Sequence, residues 1–218
     1  TFFDGTPMVV TAGLRENGSF GDHNTLGVGS GFSQMSSVAD VTKKRWEVHD
    51  ARGIAMATRR AFKEAMTLPT GPVYVAYASA ALDAKGVEAV IQPAQALEGA
   101  QTPASGTLAR IHDALLNAQR PLLVVGPDVR TAGAQRELLE LCERYALPAA
   151  VGFYDYGAFP LRHPHYVGMI QNVLEVPDEG YDVVCCVGFR QNTTANPRDE
   201  KFKDADTIIM IGHDPAVI

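Results

Sequence analysis

The chain has 218 residues, 46% of them apolar and 20% charged, and a formal charge of −6. That apolar share excludes a wholly disordered chain, and no apolar run reaches the roughly 18–20 residues of a membrane span. Acidic residues outnumber basic ones, 25 to 19, and the longest Lys/Arg block is Lys43-Lys44-Arg45, which excludes a nucleic-acid binder held by a basic face.

The chain opens on Thr1-Phe2-Phe3-Asp4, with no initiator Met and no charged-then-apolar leader, and closes just after an apolar run, so a piece of a longer protein is expected. Pro7 to Gly13 reads as a buried strand ending in a glycine turn. Leu14 to Met35, rich in Gly, Ser and Asn, reads as an ordered but irregular loop. Val48 to Thr67 carries a helical period that places Ile54, Ala57, Thr58, Ala61, Phe62 and Ala65 on one face. Pro69-Thr70-Gly71-Pro72 stops that helix, and Val73 to Tyr77 is a second strand. One helix between two strands is half a domain, whose strands are expected to present unpaired edges and apolar faces. From about Ala81 to Ser105 the texture turns to Ala, Gln, Gly and Pro with poor periodicity, the mark of an interdomain linker.

Beyond it the alternation is regular. Leu108, Ile111, Leu115 and Leu116 mark a helix and Pro121 to Gly126 a strand; Thr131 is the expected N-cap of a helix carrying Leu138, Leu139, Leu141 and Cys142. Pro148 to Gly152, Asp182 to Gly188 and Thr207 to Gly212 are further strands. Strands apolar throughout, each ending in Gly and separated by helices or loops, indicate an α/β fold: a doubly wound parallel sheet preceded by a partial α/β domain. The strand order is not readable. The three cysteines include no C-x-x-C, and in a strand Cys185 and Cys186 point to opposite faces. Buried thiols in a reducing compartment, the cytoplasm, are the reading that follows.

Several strings together resemble one family. Gly71-Pro72-Val73-Tyr74-Val75 after an amphipathic helix, Val125-Gly126-Pro127-Asp128-Val129, Phe159-Pro160-Leu161-Arg162-His163-Pro164 with Gly168-Met169, and His213-Asp214-Pro215 resemble thiamine-diphosphate-dependent 2-oxo acid decarboxylases and synthases. The nearer likeness is to the benzoylformate decarboxylases, the second to the acetolactate synthases. The resemblance implies residues 1–82 as the C-terminal half of a pyrimidine-binding domain, 83–103 as linker, and 104–218 as a truncated, Rossmann-like central domain. It implies thiamine diphosphate and Mg²⁺ in the parent enzyme, a small 2-oxo acid substrate, and a homodimer or homotetramer with neither nucleic acid nor membrane as partner. The glutamate that activates the thiamine ring and the Gly-Asp-Gly…Asn metal motif lie, in such enzymes, before Thr1 and beyond Ile218. No catalytic residue is therefore expected here, and the chain alone is expected to be inactive and to bind no cofactor. The alternatives are an acetolactate synthase-like carboligase and, from another class, a stand-alone nucleotide-binding regulatory module. The half-domain before the linker favours the enzyme, because an independent module has no use for an unfinished sheet.

Four residues are candidate nucleotide contacts. Gly126 follows a strand and opens a helix, where α/β sheets bind phosphates, but Pro127 removes one donor; a structural turn and a nucleotide cradle both remain open. Gly188 and Arg190 match the Gly-x-Arg that contacts flavin in the synthases, against a solvated arginine. Asp214 suits a ribose hydroxyl or a turn before Pro215. The decarboxylases resembled most carry no flavin in this domain, so no FAD is expected. His163 and His165 have no cysteine or carboxylate at ligand spacing, so no metal site is expected. Lys43-Lys44-Arg45 reads as a solvated basic cluster or as the counterpart of a lysine beside the synthase substrate channel.

Overall fold

The computed structural model describes residues 5–14, 34–91, 102–152, 155, 157–170, 176–189, 202 and 205–213. The chain divides into two compact units, Thr1–Gly99 and Ala100–Ile218. Among the described residues no helix is long and apolar enough to cross a membrane.

In the first unit β1 (Met8–Leu14), β2 (Lys44–Val48) and β3 (Pro72–Ala78) form a parallel sheet in the order β1-β3-β2. Strand β3 has a neighbour on each side and is buried along its whole length, so the expectation that Val73 to Tyr77 lacks partners is corrected. The edges are β1 and β2. Strand β2 was hidden in the sequence by its charges, yet Trp46 and Val48, two residues apart, both turn to the core. Short helices α1 (Gln34–Ser37) and α3 (Ser79–Asp83) flank the sheet segments in sequence. The stretch 15–33, read as a glycine-rich loop, lies outside the described residues, as does linker segment 92–101.

Helix α2 (Ile54–Met66) covers the sheet with Ile54, Ala57, Ala61 and Ala65, which meet Val48, Val73, Val75 and Tyr77. Phe62 was expected on this face and is instead 59% exposed; it stands about 100° round the helix from Ala61. Asp50 caps the 3₁₀ turn Ala51–Gly53 that leads in, accepting from the Arg52 backbone N–H (2.9 Å) and its guanidinium. The Arg52 side chain, then its backbone N–H, hold the Asp50 carboxyl down to about 2. At the far end Lys43 Nζ donates to the carbonyls of Glu64 (2.7 Å) and Thr67 (2.8 Å), and its backbone N–H donates to Pro72 O (2.8 Å). A cation on the last carbonyls of a helix satisfies orphan acceptors and the helix dipole together. Lys43 is thus neither a solvated charge nor a free one.

The second unit comprises α4 (Ser105–Asn117), β4 (Pro121–Val125), α5 (Asp128–Thr131), α6 (Gln135–Arg144), β5 (Ala149–Val151), β6 (Tyr166–Met169), β7 (Val183–Val187) and β8 (Thr207–Ile211). Its five strands run parallel in the order β6-β5-β4-β7-β8. Alternate residues feed two cores. Leu123, Val125 and Cys185 meet Leu115 of α4 and Leu138 and Cys142 of α6 on one face; Leu122, Val124 and Cys186 meet Tyr181, Phe189 and Phe202 on the other. The inward stripe of α4 is Ile111, Ala114, Leu115 and Ala118, whereas Leu108 and Leu116 face solvent. Thr131 does not cap α6: its hydroxyl donates to Pro127 O (3.2 Å) inside α5, and Ala134 precedes α6 without a side-chain cap.

At the lower end of this sheet the Asp182 carboxylate accepts backbone N–H groups from Gln119 (2.6 Å), Arg120 (2.9 Å) and its neighbour Val183 (2.8 Å). Burial raises its carboxyl, but these three donors outweigh that and leave it below the ordinary value. The stability it contributes is complete above the ordinary carboxylate pKa of about 4 and is lost as acid carries the pH below that, through the lower folded-state value. Asp182→Asn is expected to cost about 1 kcal/mol at neutral pH after allowance for solvent. It should also flatten the acid limb of stability against pH, measured by urea unfolding at pH 7 and pH 3; an unchanged acid limb would exclude this role.

Candidate functional site

Sequence order in the second sheet reverses between β4 and β7: the chain proceeds from β4 outward to β5 and β6, and from β7 outward to β8. The crest above the carboxyl ends of those two strands is the switch point, where open α/β sheets place their ligands. The candidate residues Gly126 and Gly188 follow β4 and β7 directly, Gly152 follows β5, and His213 stands just past β8.

These two turns close on each other. A Cβ added at Gly126 would collide with Gly188 O and Phe189 Cα and lie 2.5 Å from the Gly188 carbonyl carbon; one at Gly188, where φ is +59°, would lie 2.7 Å from Val129 N. The Gly126 N–H donates to Val187 O (2.9 Å), the Asp128 N–H to Gly188 O (3.1 Å), and the Gly188 N–H to Ile211 O (2.7 Å). The donors that a phosphate cradle needs are committed to carbonyls. Asp128, buried at the start of α5, places Oδ2 3.2 Å from His213 Nε2, and Asp155, also buried, packs its carboxylate against Gly152. A diphosphate would have to displace backbone hydrogen bonds and face a buried carboxylate. The turns at Gly126 and Gly188 are packed against each other rather than open as a diphosphate cradle. Arg190 and Asp214 lie outside the described residues, as does the loop 190–201 between them.

The motif Phe159 to Pro164 is structural at its start: Phe159 is buried and meets the His163 ring edge-on, 5.4 Å between centroids. The sequence places no cysteine or carboxylate at ligand spacing from His163 and His165, but the fold brings one of each close. Helix α6 brings Cys142 Sγ to 3.3 Å from His165 Nδ1 and Glu143 Oε1 to 3.3 Å from His163 Nε2. A separation of 23 residues in sequence obeys no ligand-spacing rule; the only signal was Cys142 on the buried stripe of α6.

A five-stranded parallel sheet in this order is a Rossmann-like α/β fold. The family model for the central domain of thiamine pyrophosphate enzymes matches residues 108–218, and the chain belongs to that family. Benzoylformate decarboxylase of Pseudomonas aeruginosa is 30% identical over 86% of this chain and 36% of its own length. A probable acetolactate synthase large subunit of Methanocaldococcus jannaschii is 26% identical over 100% and 38%. Among solved structures, the thiamine diphosphate-dependent 4-hydroxybenzoylformate decarboxylase of Rhodococcus jostii RHA1 shares the fold with TM-score 0.71 at 24% identity, over 98% of this chain and 41% of that one. The chain thus spans a little over a third of the length of the curated relatives it matches.

Proposed function

We propose that this chain is the central part of a thiamine diphosphate- and Mg²⁺-dependent decarboxylase acting on a small 2-oxo acid, of the benzoylformate decarboxylase kind. Residues 1–82 belong to its pyrimidine-binding domain, 83–103 to the linker and 104–218 to the central domain. The enzyme works as a homodimer or homotetramer in the cytoplasm, a compartment that suits three buried free thiols. The observation that carries the decarboxylase side of this reading is the closed crest, where Gly126 and Gly188 touch and their N–H groups are already bonded. That arrangement supports a central domain without flavin, and so does the likeness to a decarboxylase over most of the chain. The second reading, an acetolactate synthase-like carboligase, rests on synthase relatives that cover the whole chain.

The 218 residues alone are expected to release no CO₂ from benzoylformate and to give no heat with thiamine diphosphate and Mg²⁺ in calorimetric titration. With FAD they are expected to leave flavin fluorescence unquenched. Saturable quenching that disappears in Arg190→Ala would move the assignment to the synthases. Micromolar thiamine diphosphate binding would place the cofactor anchors within this chain and overturn its role as central scaffold.

A further inference from the structure

We propose that Cys142, His163 and His165 form a binding site for one divalent cation of the zinc class in the second unit, at the junction of α6 with the turn that leads into β6. One ligating atom from each of the three residues lies within 4.8 Å of the other two. Zinc–sulfur and zinc–nitrogen bonds of about 2.3 and 2.0–2.1 Å place tetrahedral donors about 3.4–3.6 Å apart. The Cys142 Sγ to His165 Nδ1 separation, 3.3 Å, is already at that spacing. The third donor comes from His163, whose imidazole is held on two sides. Phe159 and His165 meet it edge-on, with centroids 5.4 and 5.2 Å away. Glu143 Oε1 stands 3.3 Å from its Nε2, the carboxylate that metal-binding imidazoles characteristically carry on the opposite nitrogen. With Nε2–H donating to Glu143, the His163 lone pair sits on Nδ1, which accepts the His165 backbone N–H at 3.3 Å.

The position of the cluster supports a binding role. Cys142 is fully buried, His163 and His165 are half-buried, and Glu143 is exposed, so the donors lie at the edge of the core with an opening to solvent. The Cys142 thiol donates to Leu147 O (3.1 Å). Binding forms the metal–sulfur bond and releases that proton to solvent. It leaves the Leu147 carbonyl without its donor and, as His163 Nδ1 turns its lone pair to the metal, the His165 backbone N–H without its acceptor. One thiolate and two imidazoles select Zn²⁺ or Co²⁺ over the hard Mg²⁺ that the family's cofactor takes. The site is remote in chemistry from that cofactor and does not rest on the functional assignment above.

The test uses the 218-residue chain stripped with chelator and titrated with Zn²⁺ against a chromophoric competitor, and with Co²⁺ followed by absorption. One equivalent should bind, the cobalt form should show a thiolate-to-metal charge-transfer band, and millimolar Mg²⁺ should not compete. Cys142→Ala should abolish the band, and His165→Gln should weaken Zn²⁺ by at least about 10–100-fold, with circular dichroism confirming that each variant is folded. His49→Gln, which alters an exposed histidine elsewhere, should change neither. Binding without a charge-transfer band, or equal affinity in wild type and His165→Gln, would overturn the proposal and mark the metal as adventitious.

Discussion

Gly126→Ala is expected to lower the stability of the second unit by about 3 kcal/mol or more, read as a fall in the urea midpoint of the far-ultraviolet circular dichroism transition. The atoms that its methyl group would meet are Gly188 O, Phe189 Cα and the Gly188 carbonyl carbon, all backbone. A flexible side chain can swing away for a fraction of a kcal/mol, whereas here two strand-end turns must part. Their parting also stretches the hydrogen bonds from Gly126 N–H to Val187 O and from Asp128 N–H to Gly188 O. Overpacking of a rigid interior costs about 1–3 kcal/mol, more when the backbone itself must move. Gly106→Ala in α4 is the matched control, because nothing lies within 4 Å of its added Cβ and alanine favours helix; it should unfold at the wild-type midpoint or slightly above. Equal midpoints for Gly126→Ala and wild type would mean that the turns are not in contact and that the crest is open to a ligand.

The second large effect concerns thiol chemistry. Burial pushes the Cys185 thiol up to about 12 from an ordinary 9, which lowers its thiolate fraction near neutral pH about 1,000-fold, and the thiolate is the reactive form. Cys186 is pushed equally high, by burial and by Cys185 beside it, while Cys142 is raised to about 11. Native protein treated with an aromatic disulfide reagent at pH 8 should therefore react at least about 1,000-fold more slowly at Cys185 and Cys186 than a free thiol. In denaturant all three cysteines should react at once. A burst of two or more thiols under native conditions would show that the sheet around β7 opens readily and is not the packed centre described above.

Periodicity carried the regular parts of this fold and failed where charge or long-range contact decided. The apolar runs at Pro121 to Val125 and Val183 to Val187 read as strands because both faces of each are covered. The edge run Thr207 to Ile211 reads as one from its apolar residues alone, with Ile209 and Met210 turned to the cores and Ile208 and Ile211 exposed. Strand β2 was not legible because an edge strand needs only alternate apolar residues, and two of them, Trp46 and Val48, sit beside Lys44, Arg45 and Glu47. Strand β6 is four residues long, too short for any period to stand out. The direction of Phe62 was misplaced for a different reason: a broad apolar arc on a helix does not say which of its edges meets the sheet, and the narrow fit against β3 selected the alanines. At the candidate site, Gly126 and Gly188 were legible as strand-end glycines, but their contact with each other was not, since it depends on strand order. Cys142 and the two histidines meet only because β6 docks beside β5, which α6 precedes, and no local spacing encodes that.

The alanine stripe of α2 sets a ceiling on how this chain can drift over time. Ala57, Ala61 and Ala65 hold the helix close to a strand whose every residue is buried. Replacement of Ala61 by any larger residue would lift an entire helix rather than repack one neighbour. On the other side Met56, Phe62 and Met66 are exposed in this chain, and the sheet sets no limit on their size. Sequences descended from a common ancestor should accordingly keep small residues at 57, 61 and 65 while the outer face diverges, so that the less conspicuous side of the helix is the more constrained one.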